Sequence, residues 1–281
     1  MTKFYKYIAI ALLAAVSLNS NAQAPRIPEA SSTQTIIQDF GLGKVTITYS
    51  RPNVKGRVIF GGINPWGQVW RTGANAATTI TFSENVIMEG HSVPAGTYSL
   101  FTIPEKDEWT VILNKTAKQW GAYSYKEADD FLRFTVKPVY LAEKRETFTM
   151  QFTNATTKTM DLHIVWDHTA VAIGLHTDDD AQIMANIDVL MSGQHKPYFN
   201  AIQYYYENDK DMNKALAWTM EAQRSDPKGP WYKLWEARIR LKMGDKQGAI
   251  RAAQDGINLA KESKDGEYMR LNQAALDQAQ R

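Results

Sequence analysis

Cysteine is absent from all 281 residues, which excludes a disulfide framework, a thiol nucleophile and a lipid-modified N-terminal cysteine. Carboxylates are absent from one long stretch. None falls between Asp39 and Glu84, although Lys44, Arg51, Lys55, Arg57 and Arg71 all do. Net charge is scarce too: the formal value is +2, and loss of Lys3 and Lys6 with a leader would cancel it. The basic excess that drives nucleic-acid binding through counterion release is therefore missing, and no nucleic-acid partner is expected. After the first 22 residues no apolar run approaches the roughly 20 needed to span a bilayer, so no transmembrane segment is expected once the leader is removed.

What is present at the start is "MTKFYKYIAIALLAAVSLNSNAQ": Lys3 and Lys6, an apolar run from Ile8 to Leu18, then small residues at Ser20 and Ala22. This is the pattern of a secretory signal peptide over residues 1–22 with cleavage after Ala22. The expected product is periplasmic or secreted.

From Thr33 to Ile173 the apolar pattern has period two. "KVTITYS" aligns Val45, Ile47 and Tyr49, "TTITF" aligns Thr78, Ile80 and Phe82, and "WTVILN" aligns Trp109, Val111 and Leu113. Turn residues at Gly41–Gly43, Glu89-Gly90 and Pro94-Ala95-Gly96 separate the runs. Strands at this spacing, with no helical pattern between them, predict an antiparallel β-sandwich or barrel over residues 23–176.

The period then becomes helical. Ile183, Met184, Ile187, Leu190 and Met191 share one helix face, with Thr177 as the predicted N-cap and Gly193 as the stop. Beyond Lys196 the chain repeats at an offset of 34 residues, matching Ala215 to Ala249, Thr219 to Ala253 and Ala222 to Gly256. That offset and the small residues predict about two degenerate tetratricopeptide-like repeats within an all-α domain of residues 177–281. Two repeats are few for a free solenoid, so the tail is expected to dock on the β domain through the helix of residues 178–192. Taken whole, the chain is predicted to be α+β.

Glycines and prolines in "SRPNVKGRVIFGGINPWGQVWRTGAN" force turns that expose backbone N–H groups. Arg71, Asn75 and Thr78 place a guanidinium fork, an amide and a hydroxyl close together. With Arg51, Arg57 and Trp70 they form the predicted ligand-binding set, for an anion or a glycan. The competing reading pairs the arginines with Asp161, Asp167 or the acids near Asp129 and leaves the loop as architecture. Trp66, Trp70, Trp109 and Trp120 are either stacking faces for sugars or core. Asp161, His163 and Asp167 alternate onto one strand face next to His168. A His-x4-His pair with carboxylates can hold Zn²⁺, but HExxH is lacking; His163, His168 and Asp161 are the zinc candidates, the three aspartates at 178–180 lack the spacing of a calcium loop, and no cofactor is predicted. No GxSxG or SxxK motif is present, and Ser50 has no identifiable base, so catalytic residues are not assigned.

The blocks "YSRPNVKGRVIFGG", "PWGQVWRTGANAATTITF", "PAGTYSLFTIP", "WTVILNK" and "QWGAYSY" resemble the exported bacterial proteins grouped as domain of unknown function 2911, over roughly residues 25–170. The resemblance implies a Gram-negative envelope location and brings no established activity. The functional expectation is a non-catalytic binding or scaffold protein, with an anionic or glycan ligand on the β domain and a protein or peptide partner on the helical tail. A glycan-acting hydrolase that orients substrate through Arg71 and Asn75 is the alternative.

Overall fold

The computed structural model describes residues 27–281; the expected leader lies outside them. The chain divides into two compact units after Asp178. The first contains ten strands: β1 (Ser32–Phe40), β2 (Gly43–Arg51), β3 (Thr78–Phe82), β4 (Val86–Met88), β5 (His91–Val93), β6 (Gly96–Ile103), β7 (Trp109–Asn114), β8 (Asp130–Val136), β9 (Val139–Thr153) and β10 (Thr159–His176). They form a six-stranded sheet in the order β1-β2-β3-β6-β7-β8 and a four-stranded sheet in the order β5-β4-β10-β9, antiparallel throughout.

Alternation explains the layering. Val45, Ile47, Ile80, Leu100 and Val111 from the large sheet share one core with Met88, Met150, Leu162, Ile164 and Ile173 from the small sheet. The chain past β2 stitches the sheets together, because the Phe148 amide donates to Pro52 O and the Val54 amide to Glu146 O. In β10 the alternation changes parity at a bulge. Met160, Leu162, Ile164 and Trp166 are buried before it, and Thr169, Val171, Ile173 and Leu175 after it. Asp167 sits in the bulge at φ 53°, so it does not continue the row of Asp161 and His163.

The opposite face of the large sheet is divided: over β6 and β7, Phe101 and Ile112 are buried with Ala77 beneath the loops, and over β1 to β3 it is polar and partly exposed. Register sets Thr35, Thr48, Thr79, Ser99, Asn114 and Asp130 side by side across all six strands. At about 4.8 Å between strands this row is about 24 Å long. A second row runs Ile37, Thr46, Thr81 and Thr97. Hydroxyls pair across strands, Thr35 to Thr48 at 2.9 Å and Thr81 to Thr97 at 2.9 Å.

The second unit contains α1 (Asp180–Ser192), α2 (Tyr198–Glu207), α3 (Met212–Ser225), α4 (Pro230–Lys242), α5 (Lys246–Glu262) and α6 (Gly266–Gln280). Asp211, Asp245 and Asp265 cap α3, α5 and α6 by accepting first-turn amides. The first two caps are separated by the 34-residue offset of the repeat. Ala215, Ala249, Thr219 and Ala253 are all fully buried where α3 and α5 meet their neighbours. Thr177 is not the cap of α1. Its amide donates to Lys158 O, which keeps it in extended pairing, and the helix begins after Asp179.

Helix α1 belongs to the helical unit. Its Ile187 and Met191 join a core with Ile202, Tyr205, Trp218, Trp235 and Ile239, while Tyr204 and Lys210 bind its Asp180 at 2.6 and 2.7 Å. The sequence reading gave its apolar face to the β domain; that face is used inside the helical unit. With α1 included, the unit has six helices and two apolar clusters of its own. Residues 179–281 expressed alone should therefore melt cooperatively by circular dichroism. A gradual, non-cooperative transition would show that the unit leans on the rest of the chain.

Candidate functional site

The loop leading into β3 is pinned from below. Trp70 exchanges backbone hydrogen bonds with Thr102, and its indole Nε1–H donates to Gly73 O at 3.0 Å. Thr78 donates its hydroxyl to Thr72 O at 2.6 Å. Three of four consecutive residues take positive φ, namely Thr72 at 51°, Gly73 at 153° and Asn75 at 57°. At Gly73 a Cβ would stand 3.0 Å from Ser50 O, so glycine is required there. Backbone strain of this kind persists only when its surroundings fix it.

A second loop, between β7 and β8, runs alongside. The Ala77 amide donates to Gln119 O at 2.9 Å and the Gly121 amide to Asn75 O at 3.0 Å, around a bridge between Ala76 and Trp120. A buried polar network props this loop. Gln119 Nε2 donates to Asn114 Oδ1 and Thr116 O, Asn114 Nδ2 donates to Asp130, and the Tyr125 hydroxyl donates to Asp130 Oδ2 at 2.7 Å. Burial first, and the bond to Asp130 second, push the Tyr125 phenol up to about 12, so it stays a donor throughout the physiological range. Gln119 is 8% exposed, and its Oε1 has no partner among the described residues.

The pairing of the two loops brings Arg71 to Gly121 and the exposed Tyr123, with exposed Trp120 preceding that glycine. Trp120 is 65% and Tyr123 is 85% exposed. A Cβ placed on Gly121 would lie 3.4 Å from Arg71 Nη1 and 2.7 Å from the Tyr123 ring, so guanidinium and phenol ring converge over that glycine, itself at φ 66°. Arg71 Nε is buried without a hydrogen-bond partner. Among the described residues no ion pair reaches any cation of the stretch without carboxylates. Asn75 sits next to this patch, its Nδ2 donating to Ser31 O and, at 3.4 Å, to Ser50 Oγ.

The other members of the predicted set lie elsewhere. Arg51 donates to Phe148 O and Thr149 Oγ1, both at 3.1 Å, across the seam between the sheets. Arg57 folds back onto Val54 O and Asn53 O. Neither pairs with Asp161, Asp167 or the acids near Asp129: Arg51 finds its acceptors on β9, and Arg57 finds carbonyls in the turn after β2. Trp70 is core, stacked on Trp166 at 5.8 Å and in edge contact with Phe60, Trp109 and Phe148. Thr78 is fully buried and turned toward Thr72. Both shape the loop and do not face solvent.

The histidines do not converge. His168 Nδ1 lies 2.9 Å from Leu141 O, Asp161 accepts from Asn154 at 2.7 Å, and no group of three or more His, Asp or Glu among the described residues is placed to hold a metal ion. A shallow cleft of about 380 Å³ at the end of the small sheet contains Glu89, Asp161 and His176. Ser50 Oγ has Thr33 Oγ1 and Asn75 Nδ2 as neighbours, and neither is a base. Sequence reasoning missed Tyr123 and left Trp120 undecided. The signal available was the spacing in "QWGAYSY", where a glycine separates two aromatics.

The family model for "Protein of unknown function (DUF2911)" matches residues 31–175, the segment that carries every residue of this patch. The chain belongs to the DUF2911 family. No curated protein matches it. The solution structure of protein BPP2914 from Bordetella parapertussis is 21% identical, covering 36% of this chain and 82% of that one, with a TM-score of 0.28; a likeness at that score carries no structural argument. In this DUF2911 chain the matched segment ends within β10, so the six helices lie beyond it. No helix among the described residues is long and apolar enough to cross a membrane.

Proposed function

We propose that this DUF2911 chain is an exported, non-catalytic binding and scaffold protein of the bacterial envelope. Its β unit holds an anionic or glycan ligand at Arg71, and its tetratricopeptide-like helical unit engages a protein or peptide partner. One observation carries the ligand half: the Arg71 guanidinium has a buried Nε without a partner and converges with the exposed Tyr123 ring over Gly121, next in the chain to the exposed Trp120. A guanidinium is costly to hold beside protein without acceptors, and its fork of donors is matched to planar anions. Support for the exported location comes from the leader pattern of residues 1–22. Support for the partner surface comes from the 34-residue helical repeat with its conserved spacing of Asp caps.

The test is thermal unfolding of the full chain, wild type beside Arg71→Gln, with simple anions and envelope oligosaccharides. A ligand at 100 times its Kd should raise the melting temperature of a unit this size by roughly 5–10 °C, and Arg71→Gln should lose that rise. A wild type indifferent to every ligand, beside an Arg71→Gln chain that melts far lower, would make the loop architecture.

A further inference from the structure

The geometry points to one ligand class for this patch: an acidic glycan, a chain of pyranose rings in which sugars carry a carboxylate. This rests on the binding reading above and narrows it. The charge argument comes first. One guanidinium serves the patch, planar, with its Nε buried without a partner and its Nη1 at Gly121 beside the Tyr123 ring. A planar fork suits a carboxylate two oxygens at a time, whereas a phosphate recruits clusters of cations or the amides of a helix start; the loop holds only a three-residue 3-10 turn that opens on Glu127.

The aromatic pair argues for sugar over a free acid. Trp120 and Tyr123 flank Gly121 in the sequence of one loop and are 65% and 85% exposed, so each offers a ring face on which the C–H face of a sugar can stack. The loop that carries them is braced through Gln119, Asn114, Tyr125 and Asp130, which lowers the backbone ordering cost of binding.

The sheet surface argues for a polymer. The outer row Thr35, Thr48 and Thr79 leads by strand register to Ser99, whose hydroxyl donates to Thr116 O within the same loop. Thr35, Thr48 and Thr79 therefore form a partly exposed strip of hydroxyls on β1 to β3, which ends where Ser99 is buried under the loop. Thr35 and Thr48 share one proton between them and retain capacity to donate and accept, which suits a hydroxyl-rich chain and not an apolar peptide.

Isothermal titration of the full chain at physiological salt tests this with oligogalacturonate, oligoalginate and a hyaluronan tetrasaccharide. The controls are the methyl esters of the same oligosaccharides, inorganic phosphate and acetate. At least one acidic oligosaccharide should bind, and its neutral ester should bind about 10-fold more weakly or worse. Arg71→Lys should lose about 10-fold because the point charge lacks the fork, and Trp120→Ala and Tyr123→Ala should each lose about 10-fold with unchanged unliganded melting. Equal binding of acid and ester would leave a glycan site and overturn the carboxylate assignment. Phosphate or acetate binding as tightly as the oligosaccharides, with the aromatic variants unaffected, would leave an anion site and overturn the sugar. Binding of no probe at all would overturn both this inference and the ligand reading it rests on.

Discussion

Trp70→Ala is expected to destabilise the β unit by about 3–5 kcal/mol, the range for truncating a large buried aromatic. Trp70 is 7% exposed and joins Phe60, Trp109, Phe148 and Trp166 in one aromatic cluster between the sheets. Its removal leaves a void among rings that are themselves wedged together, and takes away the donor to Gly73 O. That carbonyl belongs to the strained loop that positions Arg71 and Asn75, so local order should fall along with global stability. Urea unfolding followed by near-ultraviolet circular dichroism measures it, with a melting temperature lower by roughly 6–20 °C. A loss under about 1 kcal/mol accompanied by lost ligand binding would reinstate Trp70 as a binding wall.

Glu236→Ala should cost the helical unit about 2–3 kcal/mol at neutral pH, somewhat below the 3–5 kcal/mol for stripping a fully buried charge of its partner. Glu236 is 6% exposed on α4. It accepts from Gln223 of α3 at 2.8 Å, from Arg240 at 2.9 Å and from Lys233 at 3.2 Å. Arg240 in turn reaches Asp245, the cap of α5, at 2.9 Å. One carboxylate thus ties three helices together. The loss is moderated because Arg240 keeps Asp245 and both cations reach solvent.

The same group sets an acid limit. Burial pushes the Glu236 carboxyl up, but the hydrogen bonds from Gln223 and Arg240 and the charge of Lys233 outweigh it and hold the group below the ordinary value of 4.5. A carboxyl depressed in the folded state stabilises it fully above the unfolded value and progressively less as pH falls through the folded one. Wild-type stability should therefore decline below about pH 4.3, and Glu236→Gln should flatten that decline while lowering the plateau at pH 7. A parallel pH profile in the variant would show that other carboxylates set the limit.

Much of this architecture is legible in the sequence, for identifiable reasons. Burial on one face writes itself into alternation, so β2, β3 and β7 can be placed from Val45-Ile47, Ile80-Phe82 and Val111-Leu113. The 34-residue offset writes itself into buried small residues at Ala215 and Ala249. The bulge at Asp167 leaves no such mark, since neither glycine nor proline announces it, and for that reason Asp167 drops out of the row of Asp161 and His163. Thr177 has the composition of a helix cap, yet the competing bond from its amide to Lys158 keeps it extended.

The candidate site was legible on one side only. The stretch without carboxylates pointed to Arg71 and Asn75, but which arginine stays unpaired depends on the acceptors the fold brings to it, β9 for Arg51 and the turn after β2 for Arg57. The loop that completes the patch arrives from the far side of β7, pairing Ala76 with Trp120. No periodicity or local spacing links two segments that far apart. Trp70 and Trp120 have the same residue type and the same prior for burial, and only the fold separates a core indole from an exposed one.

The decisive comparison is the equilibrium stability of Arg71→Gln and Arg51→Gln by urea unfolding, read beside their ligand-induced thermal shifts. If Arg71 is held for a ligand and Arg51 for the sheet seam, Arg71→Gln should keep wild-type stability within about 0.5 kcal/mol and lose the ligand shift. Arg51→Gln, which strips charged hydrogen bonds to Phe148 O and Thr149, should lose about 1–3 kcal/mol and keep the shift. An Arg71→Gln chain as destabilised as Arg51→Gln, with its ligand response intact, would contradict a binding role for Arg71.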